Sequence, residues 1–306
     1  MSISVIGGIN LDLKGSSYQK LELKTSNPGN IFYSSGGVSR NVAHNLSKLK
    51  IPVNLFGSIG KDVFGQILLQ ELKDLNIGTE CLKISDKYQT GIYLAVLDEK
   101  KDMMVSISDM KIMKEVNVNY IESHKEILEN SKIIFIDTNL KESVIGHILK
   151  IFQNKKALIV VNSVSNKKVK KLANIKEKID YLTLNLLETE SLFERKIDFL
   201  DIDNISELFQ KKHSNICNIV ITNGEKGVIY INNKNKIKRF YSVEKIKEKD
   251  IVDSNGAGDA FTAGLIFGLY QNESVEKSIE YGIKASQITL KSPKTVADEM
   301  SPEIII

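Results

Sequence analysis

The sequence predicts an α/β protein with a mainly parallel sheet that is covered by helices on both faces. Short apolar runs such as ISVIGG, KIIFID and ALIVV recur along the 306 residues. Many of them are followed by a stretch with helical periodicity, such as ESVIGHILKIF. This alternation of buried strands and amphipathic helices is typical of parallel sheets, whose ligands collect at the carboxyl ends of the strands.

Two segments break the alternation. Residues 11–33 and residues 87–107 consist of short alternating apolar and polar runs joined by turns, and neither has the pattern of a crossover helix. Together they predict a small β appendage that folds over the carboxyl edge of the main sheet as a lid.

The composition argues against several classes of protein. Hydrophobic residues make up 42% and charged residues 26% of the chain, which is ordinary for a globular protein. The most apolar stretch, residues 251–270, contains Asp253 and Asp259, which argues against a membrane span. The N-terminus has no secretory signal pattern, and two cysteines are too few for a disulfide framework. We therefore expect a reduced, cytoplasmic setting and no membrane partner.

The net charge of +4 comes from lysines scattered along the chain. The densest basic segment, residues 234–249, alternates apolar and charged residues, which favours a solvated strand edge over a nucleic-acid surface. We therefore expect no nucleic-acid partner and only a mild attraction for anionic ligands.

The stretch DSNGAGDAF, residues 253–261, is the strongest candidate site. Gly256, Ala257 and Gly258 stand where a loop becomes a helix, so free N–H groups and the helix dipole favour an anion there. Asp259 lies in the first helical turn, where the dipole is expected to keep it ionised. A carboxylate beside an anion site suits a base for a hydroxyl that attacks a phosphate. A helix cap with close-packed glycines explains the same residues without a ligand.

Two further motifs follow predicted strands. Asn185 and Glu188 lie one helical turn apart after YLTL, so both are able to face the same metal-bound waters, although an ordinary helix N-cap explains the asparagine. Residues 222–227, TNGEKG, separate two predicted strands. A hairpin turn and the rim of a nucleotide site explain this segment equally well.

Polar residues near the N-terminus form a fourth candidate. Gly36 and Gly37 open a predicted helix, and paired glycines permit the backbone to approach a ligand closely. Asn41 follows in that helix and is suited to a hydroxylated ligand. Asn10 and Asp12 follow the first strand, and an amide with a carboxylate suits vicinal hydroxyls.

The motifs NLD, GGVSRN, NLLE, TNGEKG and DSNGAGD resemble, in order and spacing, the ribokinase-like PfkB carbohydrate kinases. The resemblance covers essentially the whole chain. It implies one domain over residues 1–306, a three-layer αβα sandwich with a small β lid, and Mg²⁺-dependent transfer of the γ-phosphoryl group of ATP to a sugar hydroxyl. Similar proteins are often homodimers, which implies the same here. Ser254 replaces the threonine usual in the family but keeps the hydroxyl.

The resemblance also implies roles for single residues. It makes Asp259 the base and the backbone of residues 255–258 the anion hole. The other implied positions are Asn185, Thr222, Gly224, Gly227, Asn255 and Lys284 around the nucleotide, Glu188 toward Mg²⁺ through water, Asp253 toward a monovalent cation such as K⁺, and Asn10, Asp12, Gly36, Gly37 and Asn41 around the sugar.

Within the family, the segments SNPG, GGVSRN, SISDM and DTN are most similar to the kinases that act on pseudouridine. The implied reaction phosphorylates the ribose 5′-hydroxyl. The base of pseudouridine keeps an N–H that uridine lacks, so a selective site needs an additional acceptor. Asp109 is the first candidate, and a loop cap explains it equally well. The other residues implied to contact this substrate are Ser26, Asn27, Ser108 and Asn139.

Two alternatives stay open. One is a kinase of the same family that acts on ribose, a purine nucleoside or another sugar. The other is a non-catalytic binding protein that keeps the scaffold, against which the intact GAGD sequence argues.

Overall fold

The computed structural model describes residues 1–153 and 155–306. Its strands are β1 (Ile3–Ile6), β2 (Asn10–Ser17), β3 (Gly29–Gly36), β4 (Val53–Gly60), β5 (Leu82–Ser85), β6 (Gly91–Leu97), β7 (Met103–Asp109), β8 (Ile133–Asp137), β9 (Leu158–Asn162), β10 (Ile179–Asn185), β11 (Ile216–Thr222), β12 (Val228–Asn232) and β13 (Ile237–Tyr241). Its helices are α1 (Val38–Lys48), α2 (Val63–Asp74), α3 (Val118–Ser123), α4 (Lys125–Glu129), α5 (Glu142–Phe152), α6 (Leu186–Phe193), α7 (Ile202–Lys212), α8 (Ala257–Tyr270), α9 (Val275–Leu290) and α10 (Pro302–Ile305).

Nine strands form the main sheet, in the order β13-β12-β11-β10-β9-β8-β1-β4-β5. All neighbours from β11 to β5 pair in parallel, whereas β12 and β13 join through antiparallel pairings. The four exposed residues 237–240 of β13 lie at the edge, as expected for the basic segment. The prediction of a mainly parallel sheet is confirmed.

Two apolar clusters pack on the two faces of this sheet. Within β8, Ile133 and Phe135 belong to one cluster, and Ile134 and Ile136 belong to the other, because successive side chains of a strand point to opposite faces. Residues of α1, α2, α8 and α9 complete the first cluster, and residues of α3, α5, α6 and α7 complete the second. The result is the three-layer αβα arrangement.

A second sheet of four strands, in the order β3-β2-β6-β7, forms the lid. These strands fall within or beside the two segments that break the alternation. We call the face with Asp12 and Tyr93, which are in register, the inner face. Leu13, Leu94 and Ile107 are in register on the opposite, outer face. The outer face is apolar yet solvent-exposed, with Ile107 63% exposed.

Buried polar contacts attach the root of the lid to the body. The guanidinium of Arg40, which is 3% exposed, pairs with Glu71 of α2. The hydroxyl of Ser35, on lid strand β3, donates to the same carboxylate. No helix of the described ranges is both long and apolar enough to span a bilayer.

Candidate active site

Two cavities meet at the carboxyl ends of the parallel strands, where α8 begins. The larger, about 420 Å³, lies between β11, β12 and α9, and the smaller, about 160 Å³, contains Asp259. Thr222, Gly258 and Phe261 line both cavities. A ligand in the larger cavity therefore reaches one side of the start of α8, and a ligand in the smaller cavity reaches the other side.

The start of α8 has a glycine N-cap and, within the described part of the chain, unpaired N–H groups. Gly256, the N-cap, has a φ of 81°, and a Cβ there would lie 2.0 Å from the Thr295 carbonyl oxygen, so only glycine fits. No side chain caps the helix. The N–H groups of Gly258 and Asp259 find no acceptor among the described residues. Unpaired N–H groups at a helix start attract negative charge.

Asp259 projects from this first turn into the smaller cavity. Its Oδ2 accepts a hydrogen bond of 2.8 Å from the Asn41 amide. Removal from water raises the pKa of Asp259 to about 7, and the Asn41 bond acts in the opposite direction. The carboxylates of Asp137, Asp12 and Glu188 raise the pKa further. Burial and like charges therefore act against the helix dipole, which was expected to keep Asp259 ionised.

Asn10 and Asp12 lie together on the inner face of the lid root. The Asn10 amide donates to Asp12 Oδ1. A Cβ on Gly36 would lie 2.5 Å from Asp12 Oδ2, so the glycine leaves room for the carboxylate. Burial raises the pKa of Asp12, and the hydrogen bond from Asn10 opposes this rise. The structure thus brings together the amide and the carboxylate that were predicted to hold adjacent hydroxyls.

Asp137, at the end of β8, fastens three segments of this site. Its fully buried carboxylate accepts hydrogen bonds from the N–H of Gly8, the N–H and hydroxyl of Ser39, and the N–H of Asn139. The loop after β1, the start of α1 and the loop after β8 are thereby joined. No motif in the sequence predicted a role for this aspartate. Its signal was its place at the carboxyl end of a buried strand.

Asn185 and Glu188 form a reciprocal cap at the start of α6. Asn185 Oδ1 accepts from the Glu188 N–H at 2.8 Å, and Glu188 Oε2 accepts from the Asn185 N–H at 2.9 Å. The hydroxyl of Ser163 also donates to Glu188 Oε2. Both capping residues line the smaller cavity with Asp259. The N-cap interpretation is confirmed, and the cap places both residues in the same cavity as Asp259.

The larger cavity has mostly apolar walls. Thr222 and Gly224, from the predicted hairpin turn, line its rim. Gly227 closes that turn with a φ of 111°. The apolar lining includes Val228, Val243, Ile246, Phe261, Ile283 and Leu290.

Two predicted nucleotide contacts are placed elsewhere. Lys284 donates from Nζ to the Ile306 carbonyl oxygen and does not line the larger cavity. Its neighbours Ile283 and Gln287 line the cavity instead, because residues four apart share one face of a helix. The exposed Asn255 folds back, and its amide and N–H both donate to Asp253.

Asp253 has a second partner across the cleft. The ammonium of Lys14, on the inner face of the lid, lies 3.6 Å from Asp253 Oδ2. The position predicted to hold a monovalent cation is thus already next to a fixed positive charge.

Of the predicted base-reading residues of the lid, Asp109 and Ser26 lie away from the site. Asp109 is in register with Ile92 and Leu11, on the face opposite Asp12, and its side chain is 56% exposed. Its carboxylate caps the N–H of Lys111, which is the loop-cap alternative. Ser26 is exposed at the far end of the lid.

Asn27 is occupied within its own loop. Its side chain accepts from the Glu22 N–H and donates to the Glu22 and Thr25 carbonyl oxygens. Ser108, by contrast, lies on the inner face in register with Tyr93 and Asp12.

Comparison with known proteins assigns the class of this site. The model of the pfkB family carbohydrate kinases matches residues 1–302, so the chain belongs to that family of phosphotransferases with an alcohol group as acceptor. The chain is 28% identical over 300 residues to pseudouridine kinase of Escherichia coli (strain K12), with 98% of this chain and 93% of that protein covered.

Two other relatives are similar over comparable lengths. Guanosine-inosine kinase of Exiguobacterium acetylicum is 25% identical, with 97% of both proteins covered. The structure of Arabidopsis thaliana ribokinase complexed with ribose and ATP superposes with a TM-score of 0.80 at 17% identity, covering 99% of this chain and 97% of that one. The ribokinase-like fold predicted from the sequence is confirmed.

Proposed function

We propose that the protein transfers the γ-phosphoryl group of ATP to the 5′-hydroxyl of pseudouridine, giving pseudouridine 5′-phosphate and ADP. The observation that carries the transfer is Asp259, with a pKa of about 7, beside unpaired N–H groups where the two cavities meet. A base whose pKa lies near the working pH is well matched to proton removal. The similarity to two nucleoside kinases supports a nucleoside as acceptor.

ATP fits the larger cavity. Apolar walls such as Ile283 and Leu290 suit the faces of a purine, and Thr222 lies where the cavity turns toward α8. Phosphates that extend toward the smaller cavity meet the N–H groups at the start of α8. The ATP-bound ribokinase of the same fold supports this donor.

Mg²⁺ neutralises phosphate charge when it is bound. Among the residues that the structure describes, no group of three or more acidic, histidine or cysteine side chains is placed to hold a metal alone. This fits an ion that is coordinated chiefly by phosphate oxygens and water. Glu188, with Asn185, is the proposed partner of its waters. K⁺ is the proposed monovalent ion beside Asp253, where it would share the carboxylate with Lys14.

The chain's own residues divide the work of transfer. Asn10 and Asp12 hold the ribose hydroxyls, and the close backbone of Gly36 and Gly37 shapes the pocket. Asn41 orients the Asp259 carboxylate by a hydrogen bond. That carboxylate removes the proton of the attacking hydroxyl. The N–H groups at the start of α8 stabilise the charge that develops on the transferred group. Closure of the lid excludes water from the reaction.

A homodimer and a cytoplasmic location complete the proposal. The exposed apolar outer face of the lid, which includes Tyr33, Leu94 and Ile107, suits the same face of a second copy. ATP is abundant in the cytoplasm, where a nucleoside kinase needs it.

The test is ADP release, measured in a coupled assay with pseudouridine, uridine, adenosine, inosine and ribose as acceptors. We expect the highest kcat/KM for pseudouridine. A preference for inosine would support the purine alternative that the guanosine-inosine kinase suggests. Calorimetric binding of pseudouridine without any ADP formation would favour a non-catalytic binding protein.

A further inference from the structure

Lys168 lies in the loop after β9 and contacts the loop that follows β8. Its ammonium donates a hydrogen bond to Asn139 Oδ1. The lysine side chain is only partly exposed and forms no ion pair among the described residues. Burial lowers the pKa of the Lys168 ammonium, and the charge of the Asp137 carboxylate, which does not bond to it, opposes this only in part. Packing alone does not explain a lysine at this position.

Its neighbour Lys171 has an evident structural purpose. That ammonium donates to the carbonyl oxygens of Thr138 and Leu140, each at 2.7 Å, and so holds the main chain of the loop after β8. Lys168 does not repeat this role, since it contacts the side chain of Asn139 and not a main-chain carbonyl of the same loop.

The contact fixes which end of the Asn139 amide is available. Because Oδ1 receives the ammonium, Nδ2 must present the donor end of the amide. A Cβ on Gly8 would lie 2.5 Å from Nδ2, so the amide passes directly over the backbone of Gly8. Among the described residues, Nδ2 has no hydrogen-bond acceptor. It is also not one of the polar atoms that are buried away from solvent without a partner. It is therefore free to donate to a ligand.

The same loop is tied to the sugar pocket. The N–H groups of Asn139 and Gly8 both bind the Asp137 carboxylate, which also holds Ser39 at the start of α1. Asn10 follows Gly8 by two residues. The ammonium of Lys168 and the Nδ2 group of Asn139 thus form a donor pair next to Gly8, two residues before Asn10.

We infer that Lys168 and Asn139 read the base of the acceptor nucleoside by donating hydrogen bonds to a ring carbonyl oxygen. The inference rests on the proposed nucleoside kinase function and deepens it. A uracil ring carries two carbonyl oxygens, whereas adenine carries none and offers an amino donor instead. The pair therefore favours uracil-type nucleosides over adenosine. It also replaces the lid residue Asp109 as the main contact with the base.

The experiment compares Lys168→Met, Lys168→Arg and Asn139→Asp with the control Lys170→Met. Lys170 lies in the same segment, but it is exposed and pairs with Glu194. For each protein, kcat and KM are measured for pseudouridine and adenosine, KM is measured for ATP, ribose binding is measured by calorimetry, and Tm is recorded.

We expect Lys168→Met to raise KM for pseudouridine by about 10- to 100-fold, the usual effect of losing a hydrogen bond to a charged group. The preference for pseudouridine over adenosine should fall by a similar factor. KM for ATP, ribose binding and Tm should stay within about twofold or a few degrees of wild type. Asn139→Asp keeps the contact with Lys168 but replaces the amide donor by an acceptor, so it should also lose the preference. Lys168→Arg should recover part of it.

Two outcomes overturn the inference separately from the proposed function. In one, wild type phosphorylates nucleosides, yet Lys168→Met keeps the preference for pseudouridine. In the other, the variant weakens pseudouridine and ribose equally with a lowered Tm, which would show a purely structural lysine. A wild-type enzyme that phosphorylates only free sugars overturns the proposed function and the inference together.

Discussion

Replacement of Asp259 by asparagine removes the proposed base and preserves the shape of the side chain. Asn41 lies within hydrogen-bond distance of either group. The N–H groups at the start of α8 stay in place, so ATP should still bind. We expect kcat to fall by about 10²- to 10⁴-fold, the range typical of losing a general base. KM for ATP should change little.

The same variant tests the charge at the site through stability. The pKa of Asp259 rises from an ordinary value of 3.8 to about 7 on folding. The folded protein then binds the proton more tightly than the unfolded chain does, so stability falls as pH rises between these values. At 1.36 kcal/mol per pKa unit, the loss from pH 5 to pH 8 is about 2 to 3 kcal/mol. Asparagine does not ionise and escapes this loss.

The assay is urea unfolding of wild type and Asp259→Asn at pH 5 and pH 8, with turnover measured on the same preparations. The variant should gain stability relative to wild type on going to pH 8. A gap between the two proteins that does not change with pH would refute the raised pKa. Near-normal turnover of the variant would refute the role of Asp259 as base.

Four further outcomes are expected. Gly256→Ala should lower the free energy of unfolding by about 1–3 kcal/mol, because its Cβ would meet the Thr295 carbonyl oxygen at a positive φ. Gly258→Ala should keep wild-type stability, because its Cβ meets nothing within 4 Å, and should raise KM for ATP. Equal Tm losses for the two glycine variants would contradict this. The kcat/KM of wild type should rise with pH through about 7, because only ionised Asp259 accepts a proton, and a flat profile from pH 6 to 8 would count against it. Ile107→Lys should convert a dimer to a monomer in light scattering, and an unchanged mass would place the interface elsewhere.

Local signals were sufficient for the start of α8. Small residues followed by an apolar helical pattern predict a helix start, and the N–H groups there are exposed for reasons that involve only neighbours in sequence. The same holds for the Asn185–Glu188 cap, whose two hydrogen bonds span three residues. Such features depend on helix geometry and are readable from one sequence.

Long-range contacts explain what the sequence did not show. Asp137 bonds to Gly8, 129 residues away, and Lys168 meets Asn139 across 29 residues. Neither contact produces a periodic pattern in the sequence. Asp109 lies on the outer face of the lid for a different reason. A shift of one residue in strand register moves a side chain to the other face, and the sequence alone does not show the register.

Helix phase accounts for Lys284. A helix turns by about 100° per residue, so Ile283 and Gln287 face the cavity while the lysine beside them points toward the C-terminus. The sequence indicated that this helix borders the nucleotide, but not which of its faces does so.

The most direct test of the account is the position of phosphate in the product. Wild-type protein is incubated with ATP, Mg²⁺ and pseudouridine, and the product is analysed by phosphorus–proton correlation NMR. The account predicts one monophosphate, coupled to the 5′ protons of the ribose, formed in step with ADP. Phosphate on another hydroxyl, or ADP formed without a phosphorylated nucleoside, would contradict it.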